Sequence, residues 1–138
     1  MGKSKAEQAA QQYRSLNLKS EVESASPHRL IQMLMEGLIG KIGSAKNCID
    51  NENISGKGEN IGMAISIVGG LRVSLDKERG GEIAENLDNL YDYMERRLLE
   101  ANLSSNIAIL DEVMGLVKEI KSAWDAIGPE IIPSQQVG

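Results

Sequence analysis

Three kinds of residue in this chain could take part in chemistry: its histidine, its cysteine and a run of spaced glycines. His28, the only histidine, follows a Ser-Pro pair and opens an apolar stretch. A histidine on a helical bundle can accept a phosphoryl group when its ring faces solvent in mid-helix. Phosphotransfer sites usually carry Lys and Gly three and four residues later, whereas here these residues are Ile31 and Gln32. Histidine phosphotransfer is therefore kept only as the alternative function.

Cys48 is the only cysteine, so it has no second thiol with which to pair. No histidine or cysteine stands at metal-ligand spacing from it, and the carboxylates form no Glu-x-x-His motif. A catalytic thiol needs a neighbouring base, and the sequence indicates none for Cys48. These residues predict no catalytic centre, no metal and no cofactor, and we expect a protein that is not an enzyme.

Gly37, Gly40 and Gly43 are three residues apart and lie within a helical pattern. A phosphate-binding glycine loop would instead follow a strand. Each glycine inside a helix costs about 1 kcal/mol relative to alanine, but it lets another helix approach closely. That second helix can belong to the same bundle or to a partner protein, and the sequence leaves both explanations open.

Composition excludes several classes of partner. The formal net charge is -5 and the isoelectric point is near 4.9, whereas nucleic acids and anionic membranes attract clustered Lys and Arg. No apolar run approaches the roughly 20 residues that span a bilayer, and the first residues lack the apolar centre of a secretory signal. We expect a cytoplasmic protein with no nucleic-acid partner and no membrane insertion.

Apolar residues recur at helical spacing in four separate stretches. Ser26 can cap the first helix, and Pro27 suits its first position. A polar connector is predicted over 51–60, and the second helix should stop near Asp76. The four stripes are Leu30, Leu34, Leu38, Ile42, Ala45 and Ile49; Ile61, Ile65, Val68, Leu71 and Leu75; Ile83, Leu87, Leu90, Tyr91, Met94 and Leu98; Ile107, Leu110, Met114, Val117, Ile120 and Trp124.

The third helix is predicted to begin after a glycine pair and to close at Asn102, and Ser104 or Ser105 can cap the fourth. Four helices with short connectors pack most simply in sequence order. We therefore predict an all-α fold, an antiparallel up-down-up-down four-helix bundle over residues 23–128. Residues 1–22 are predicted to form a mobile N-terminal arm or short helix, and residues 129–138 a disordered C-terminal tail.

Three stretches resemble the flagellar export chaperones of the FliS family. VESASPHRLIQMLMEGLIGKI is similar to the family's entry segment, and ILDEVMGLVKEIKSAWDAI to its last helix, including the Trp. LDKERGGEIAENLDNLYDYMERRLLEAN follows the family's signature throughout. The resemblance spans about residues 22–127. Within it, Met35 stands where many members have Tyr, and Tyr13 lies farther ahead of Val22 than the usual family tyrosine.

The resemblance implies a function in protein export. Such chaperones bind the disordered C-terminal segment of flagellin in the cytoplasm, prevent premature polymerisation and deliver the segment to the flagellar type III export gate. Flagellin and the export gate protein are therefore the expected partners, together with other flagellar regulatory or export proteins.

Candidate contact residues are placed at the edges of the apolar stripes, because core and groove positions share one periodicity. In the N-terminal arm, four apolar residues are expected to cover the groove, as a similar segment does in the family, until the client displaces them. The predicted partner contacts are Ile31, Met35, Ile39, Ile42, Ile61, Ile65, Tyr91 and Met94. The predicted covering residues of the arm are Tyr13, Leu16, Leu18 and Val22.

Overall fold

The computed structural model describes residues 25–127, and these residues form four α-helices without a β-strand. The helices are α1, Pro27–Asp50; α2, Ile54–Val73; α3, Lys77–Ser104; and α4, Ile107–Ile127. The predicted all-α fold is confirmed for this part of the chain. The predicted arm, residues 1–22, and the predicted tail, residues 129–138, lie outside the described residues.

The first helix begins where the sequence indicates. Ser26 has extended backbone angles, and its side chain accepts a hydrogen bond from the Arg29 amide at 3.1 Å. Pro27 occupies the first helical position, where a missing amide hydrogen loses no helical bond. The cap and the proline together define the start of α1.

The connector between α1 and α2 is shorter than predicted. Only residues 51–53 are non-helical, because the Asn53 side chain accepts a hydrogen bond from the Gly56 amide at 2.9 Å and starts α2. Gly56 and Gly58 therefore lie inside a helix. The prediction of a ten-residue connector over 51–60 is wrong, because the Asn53 cap starts α2 here and burial of Lys57 and Ile61 stabilises its first turns.

The third helix also begins earlier than predicted. Asp76 caps it by accepting a hydrogen bond from the Arg79 amide at 3.2 Å, so the first turn of α3 precedes the glycine pair. Gly81 then interrupts the helix with φ 51° and ψ -125°. These non-helical angles bend α3 at Gly81. Only glycine adopts them without a steric penalty.

The junction of α3 and α4 differs from both predicted caps. α3 continues past Asn102, and Ser105 ends it in the left-handed region with φ 53°, donating its amide to the Ala101 carbonyl oxygen at 2.8 Å. Asn106 then accepts a hydrogen bond from the Ala108 amide at 2.9 Å at the start of α4. Ser105 thus closes α3 instead of capping α4.

Each helix packs against its neighbours in sequence, and α4 closes the ring against α1. His28 at the start of α1 contacts Trp124 at the end of α4. Lys57 near the start of α2 donates a hydrogen bond to Ser105, just after α3, at 2.7 Å. Contacts between opposite ends of adjacent helices mean that these pairs are antiparallel, which confirms the predicted up-down-up-down bundle.

The core is built almost entirely from aliphatic side chains and methionine, and each helix contributes to it. None of the helices formed by residues 25–127 is both long enough and apolar enough to cross a membrane. Burying one aliphatic or methionine side chain in this core contributes about 1.5–3 kcal/mol to the free energy of unfolding. The largest side chains with under 2% exposure are Leu34, Met35, Leu38, Ile42, Ile61, Ile67, Val68, Leu71, Met94, Leu98, Leu110 and Val113.

Two glycines are expected to respond to alanine in opposite directions. A Cβ at Gly40 would meet no atom within 4 Å, so Gly40→Ala is expected to raise the free energy of unfolding by about 0.5–1 kcal/mol. Gly81→Ala would place a side chain on a residue with positive φ, so this variant is expected to lower the free energy of unfolding by about 1–2 kcal/mol. Urea denaturation of both variants checks this, and a change of the same sign in both would contradict it.

Candidate partner-binding surface

His28 lies in the first turn of α1 and is only 3% exposed. Its ring stacks on the Trp124 indole, with 4.9 Å between ring centroids and 13° between planes. His28 Nε2 donates to the Trp124 carbonyl oxygen at 2.9 Å, and Trp124 Nε1 donates to the His28 carbonyl oxygen at 3.0 Å. This reciprocal pair joins the start of α1 to the end of α4. A ring buried in this way argues against the phosphotransfer alternative.

Cys48 is half-buried near the end of α1. The nearest polar partners of its Sγ are the amide nitrogens of Asn60 at 3.7 Å and Asn53 at 3.9 Å. Neither amide can take a proton from the thiol. Within residues 25–127, no three His, Cys, Asp or Glu side chains are grouped so that they could hold a metal ion.

Two glycines of the predicted run face away from the other helices. A Cβ placed at Gly40 or Gly43 would meet no atom within 4 Å. At these two positions, therefore, close approach of another helix of the described bundle does not explain the glycines.

The predicted contact residues divide into a buried and a half-buried group. Burial raises the pKa of the Tyr91 hydroxyl to about 12. A partner can touch only atoms that reach the surface, so the buried group would need the bundle to open. The residues with at most 3% exposure are Met35, Ile42, Ile61, Tyr91 and Met94. The half-buried residues, which pack against the core, are Ile31, Ile39 and Ile65.

The four arm residues predicted to cover a groove cannot be placed relative to this surface, since all of them precede residue 25. They are Tyr13, Leu16, Leu18 and Val22.

Other large apolar side chains reach the surface, and sequence analysis did not select them as contacts. Leu99 and Leu103 are one turn apart on α3, outside the buried set of Met94, Leu98 and Ala101. A second pair of leucines at i and i+4 is the signal that could have revealed them. The exposed fractions are 80% for Leu103, 76% for Ile54, 72% for Ile83, 53% for Leu99 and 43% for Val73.

An ion-pair network joins α2 to α3. Arg72 Nε lies 2.8 Å from Asp88 Oδ1, and its Nη1 lies 2.7 Å from Glu95 Oε1. Lys77 Nζ contacts the other Asp88 oxygen at 2.8 Å. Hydrogen bonds from Arg72 and Lys77 hold the pKa of the Asp88 carboxyl below its usual range. The network fixes the position of α2 along α3.

A second polar cluster joins α3 to α4. Tyr93 Oη donates to Glu112 Oε2 at 2.6 Å, and Arg97 Nε donates to Glu112 Oε1 at 2.9 Å. These two donors lower the pKa of the Glu112 carboxyl. Neither polar cluster includes any of the exposed large apolar side chains described above.

Comparisons with known proteins identify the family. The family model described as flagellar protein FliS matches residues 9–131, which extends beyond the predicted 22–127 at both ends. The chain is 50% identical over 119 residues to flagellar secretion chaperone FliSB of Pseudomonas aeruginosa, covering 86% of this chain and 94% of that protein. It is also 43% identical to flagellar secretion chaperone FliS of Vibrio cholerae, covering 87% of this chain and 88% of that protein.

A third relative supports the same assignment. Flagellar secretion chaperone FliS of Salmonella typhimurium is 44% identical over 119 residues, which cover 86% of this chain and 88% of the relative. The expectation that the protein is not an enzyme is confirmed by these matches, because the family consists of chaperones. The helical bundle, the signature on α3 and the matches over most of the chain lead to one conclusion: this protein belongs to the FliS family of flagellar secretion chaperones.

Proposed function

We propose that the protein binds the disordered C-terminal segment of flagellin in the cytoplasm, prevents its premature polymerisation and delivers it to the flagellar type III export apparatus. Membership of the FliS family is the observation that carries this proposal. Its partners are then the flagellin segment and the export gate protein, together with other flagellar regulatory or export proteins.

The surface chemistry supports a binding role. A filament subunit assembles through amphipathic segments, whose apolar stripes must be covered before export. Exposed apolar side chains on α2 and α3, such as Ile54 and Leu103, offer a surface for such a stripe. A disordered client orders on binding, and the entropy lost lowers the affinity per unit of buried area. Release at the export gate then requires less free energy than the separation of two rigid partners.

The N-terminal arm completes the proposed mechanism. Tyr13, Leu16, Leu18 and Val22 would lie over apolar surface in the free chaperone and compete with the client. A segment held by so few apolar residues is displaced at low cost. The client then gains the surface that the arm releases.

Titration with a flagellin C-terminal peptide tests the proposed function. Because the client orders on binding, the helical circular dichroism signal of the mixture is expected to exceed the sum of the separate signals. The fluorescence of Trp124, the only tryptophan, reports whether the chaperone stays folded during the titration. A chain lacking residues 1–22 is expected to bind the peptide more tightly, because the competing arm is gone.

A peptide of the same composition in scrambled order is the control for non-specific apolar binding. Equal responses to both peptides, or no response while chaperone and peptide stay soluble and the chaperone stays folded, would contradict the proposed function. Unchanged affinity after removal of residues 1–22 would contradict the role of the arm alone.

A further inference from the structure

We propose that residues 128–138 fold back onto an apolar strip between α3 and α4 and cover it with Ile131 and Ile132. This surface, called the α3–α4 strip, consists of Ile83, Leu90, Leu116, Ile120 and Ile127. The contact lies within one chain and does not depend on the proposed function. The predicted disorder of residues 129–138 is then limited to the part that follows Pro133.

Ile83 is an inward-facing residue that the bundle leaves exposed. It belongs to the predicted apolar stripe of α3, and Tyr91, Met94 and Leu98 on the same stripe are at most 3% exposed. Ile83 is 72% exposed. Residues 25–127 therefore do not supply the cover that its place on the stripe predicts.

The side of α3 that faces α4 carries Ile83. Tyr93 Oη and Arg97 Nε both donate hydrogen bonds to Glu112 on α4, at 2.6 Å and 2.9 Å. Leu90 and Ile83 lie three and ten residues before Tyr93, which is about one and three helical turns. Both residues therefore continue the side of α3 that Tyr93 and Arg97 turn towards α4.

The matching side of α4 is also apolar. Leu116, Ile120 and Ile127 follow Glu112 by four, eight and fifteen residues, about one, two and four turns, so they lie on or near the side that faces α3. Leu116 and Ile120 are half-buried against the core, and Ile127 is half-buried at the end of the helix. The α3–α4 strip thus runs from the Tyr93–Glu112 hydrogen bond to the point where α4 ends.

The strip has a gap beside Ile83. The two helices are antiparallel, and each rises about 1.5 Å per residue. Ile83, ten residues from Tyr93, is therefore level with Ser122 and Ala123, ten and eleven residues from Glu112. Ala123 is itself exposed and has only a methyl group, which is too small to cover Ile83.

The length of the chain after α4 points to its own tail as the occupant of this gap. Ile127 ends α4 about five residues, or about 7 Å along the bundle, beyond the level of Ile83. Neighbouring helix axes are about 8–10 Å apart, so the gap is about 11–12 Å from the end of α4. Ile131 follows four residues later, and extended chain spans about 3.3 Å per residue, or about 13 Å in all. Ile131 and Ile132 therefore reach the gap.

The sequence of the tail suits this path. Pro129 cannot continue the hydrogen bonding of α4, and Pro133 favours an extended, polyproline II backbone. That helix has three residues per turn, so Glu130 and Pro133 would share one edge and Ile131 and Ile132 would occupy the other two. Both isoleucines can then lie on the strip while the Glu130 carboxylate stays in water.

A second copy of the chain fits the strip less well. Glu82 and Glu119 stand at its borders, and neither forms an ion pair within the part of the chain that the structure describes. Two strips placed face to face would bring these carboxylates together. The tail avoids that repulsion, and its attachment at Ile127 gives it an effective concentration in the millimolar range.

Paramagnetic relaxation in the full chain tests the contact. Cys48→Ala removes the only thiol, and Ser134→Cys provides a single position for a nitroxide label beside the two isoleucines. The label is expected to broaden the methyl signals of Ile83. The signals of Ile54 are the control and should stay sharp, because Ile54 is 76% exposed but lies at the opposite end of the bundle.

The tail is attached near the strip whether or not it docks, so the decisive comparison is with Ile131→Ser/Ile132→Ser. This labelled variant keeps the tail but removes its apolar side chains. Broadening of Ile83 is expected to fall at least about threefold, because an undocked flexible segment visits the strip only by diffusion.

A reciprocal pair of variants tests the strip itself. Ile83→Ser is expected to reduce the broadening of the Ile120 methyl signals, whereas Ile54→Ser, at a similarly exposed isoleucine, should leave it unchanged. The circular dichroism spectrum and thermal melting of each variant check that the bundle stays folded.

Four results would overturn the inference. The first is equal broadening of Ile83 with and without Ile131 and Ile132, which means that the tail is attached but undocked. The second is an equal effect of Ile83→Ser and Ile54→Ser. The third is a change at Ile83 on removal of residues 1–22 but not on substitution of the tail, which makes the arm the cover. The fourth is broadening that persists when nitroxide-labelled and isotope-labelled chains are separate molecules in a mixture, which assigns the strip to a second copy. None of these measurements uses flagellin, so the proposed function stands or fails independently.

Discussion

Replacing His28 with alanine is expected to lower the free energy of unfolding by about 2–4 kcal/mol. The substitution removes a stacked ring contact, worth about 0.5–1.5 kcal/mol, and a hydrogen bond, worth about 1 kcal/mol, together with buried ring surface. The bond from Trp124 Nε1 to the His28 backbone oxygen is not removed directly. Urea denaturation followed by circular dichroism measures the change.

Gln32→Ala is the matched control for His28→Ala. Gln32 also lies on α1 and also donates a hydrogen bond to α4, at 2.7 Å from Asp125 Oδ1, but this bond is exposed. Its removal is expected to cost less than about 1 kcal/mol. Equal losses in both variants would mean that the His28–Trp124 pair is no more important than a surface contact. A double-mutant cycle with Trp124→Leu then isolates the pairwise energy.

The second large effect is expected at alkaline pH, from Tyr91. Its pKa in the folded protein is about 12 because burial disfavours the phenolate, whereas the unfolded chain ionises near pH 10. Between these values the unfolded state binds fewer protons, so stability is complete below pH 10 and declines as pH rises towards 12. Two pH units correspond to about 3 kcal/mol. Tyr91→Phe is expected to lose less stability over this range.

The measurement is urea denaturation of wild type and Tyr91→Phe at several pH values from 7 to 12. At pH 7 the two proteins should agree within about 1 kcal/mol, because the ring is retained. The pKa of Lys77 is raised by Asp88, and its loss of charge also weakens the fold at high pH, but equally in both proteins. Parallel curves would mean that Tyr91 ionises like an exposed tyrosine, as a residue in an open groove would.

Both predictions concern residues that sequence analysis considered for function. His28 was the candidate for phosphoryl transfer, and Tyr91 was a predicted client contact. In the structure, each is at least 97% buried among other helices. A residue type suited to chemistry or binding acts on a partner only when its surroundings expose it, and for these two residues the surroundings are the interhelical packing.

Two leucines of α3 show the opposite case: they are exposed although the sequence did not mark them as contacts. Leu99 and Leu103 interrupt no pattern and belong to no predicted contact set, yet both are more than half exposed. Periodicity predicts a stripe of inward positions on α3, which is correct for Tyr91, Met94 and Leu98 but wrong for the exposed Ile83, and the two leucines lie outside it. Their place beside α2 depends on the register of two helices, which the Arg72 network and the Lys57–Ser105 bond determine.

The ends of the helices illustrate a smaller limit. Ser26 and Pro27 were predicted correctly because a serine cap followed by proline is a strong local signal. Asn53 and Asp76 were missed because glycines after each cap suggested a loop. Each cap accepts a hydrogen bond from the amide three residues ahead, and packing of the following helix against the bundle supplies the rest of the stabilisation that the glycines lack.

The sequence by itself determined the four helices, their order, the antiparallel bundle and the family, since each follows from local spacing or from residues contiguous in the chain. Only the tertiary structure decided which apolar residues are core and which remain available to a partner. Met35 and Ile31 lie on the same helical stripe, yet one is buried and the other half-buried. The physical reason is that exposure depends on what other helices cover, and distant parts of the chain supply that cover.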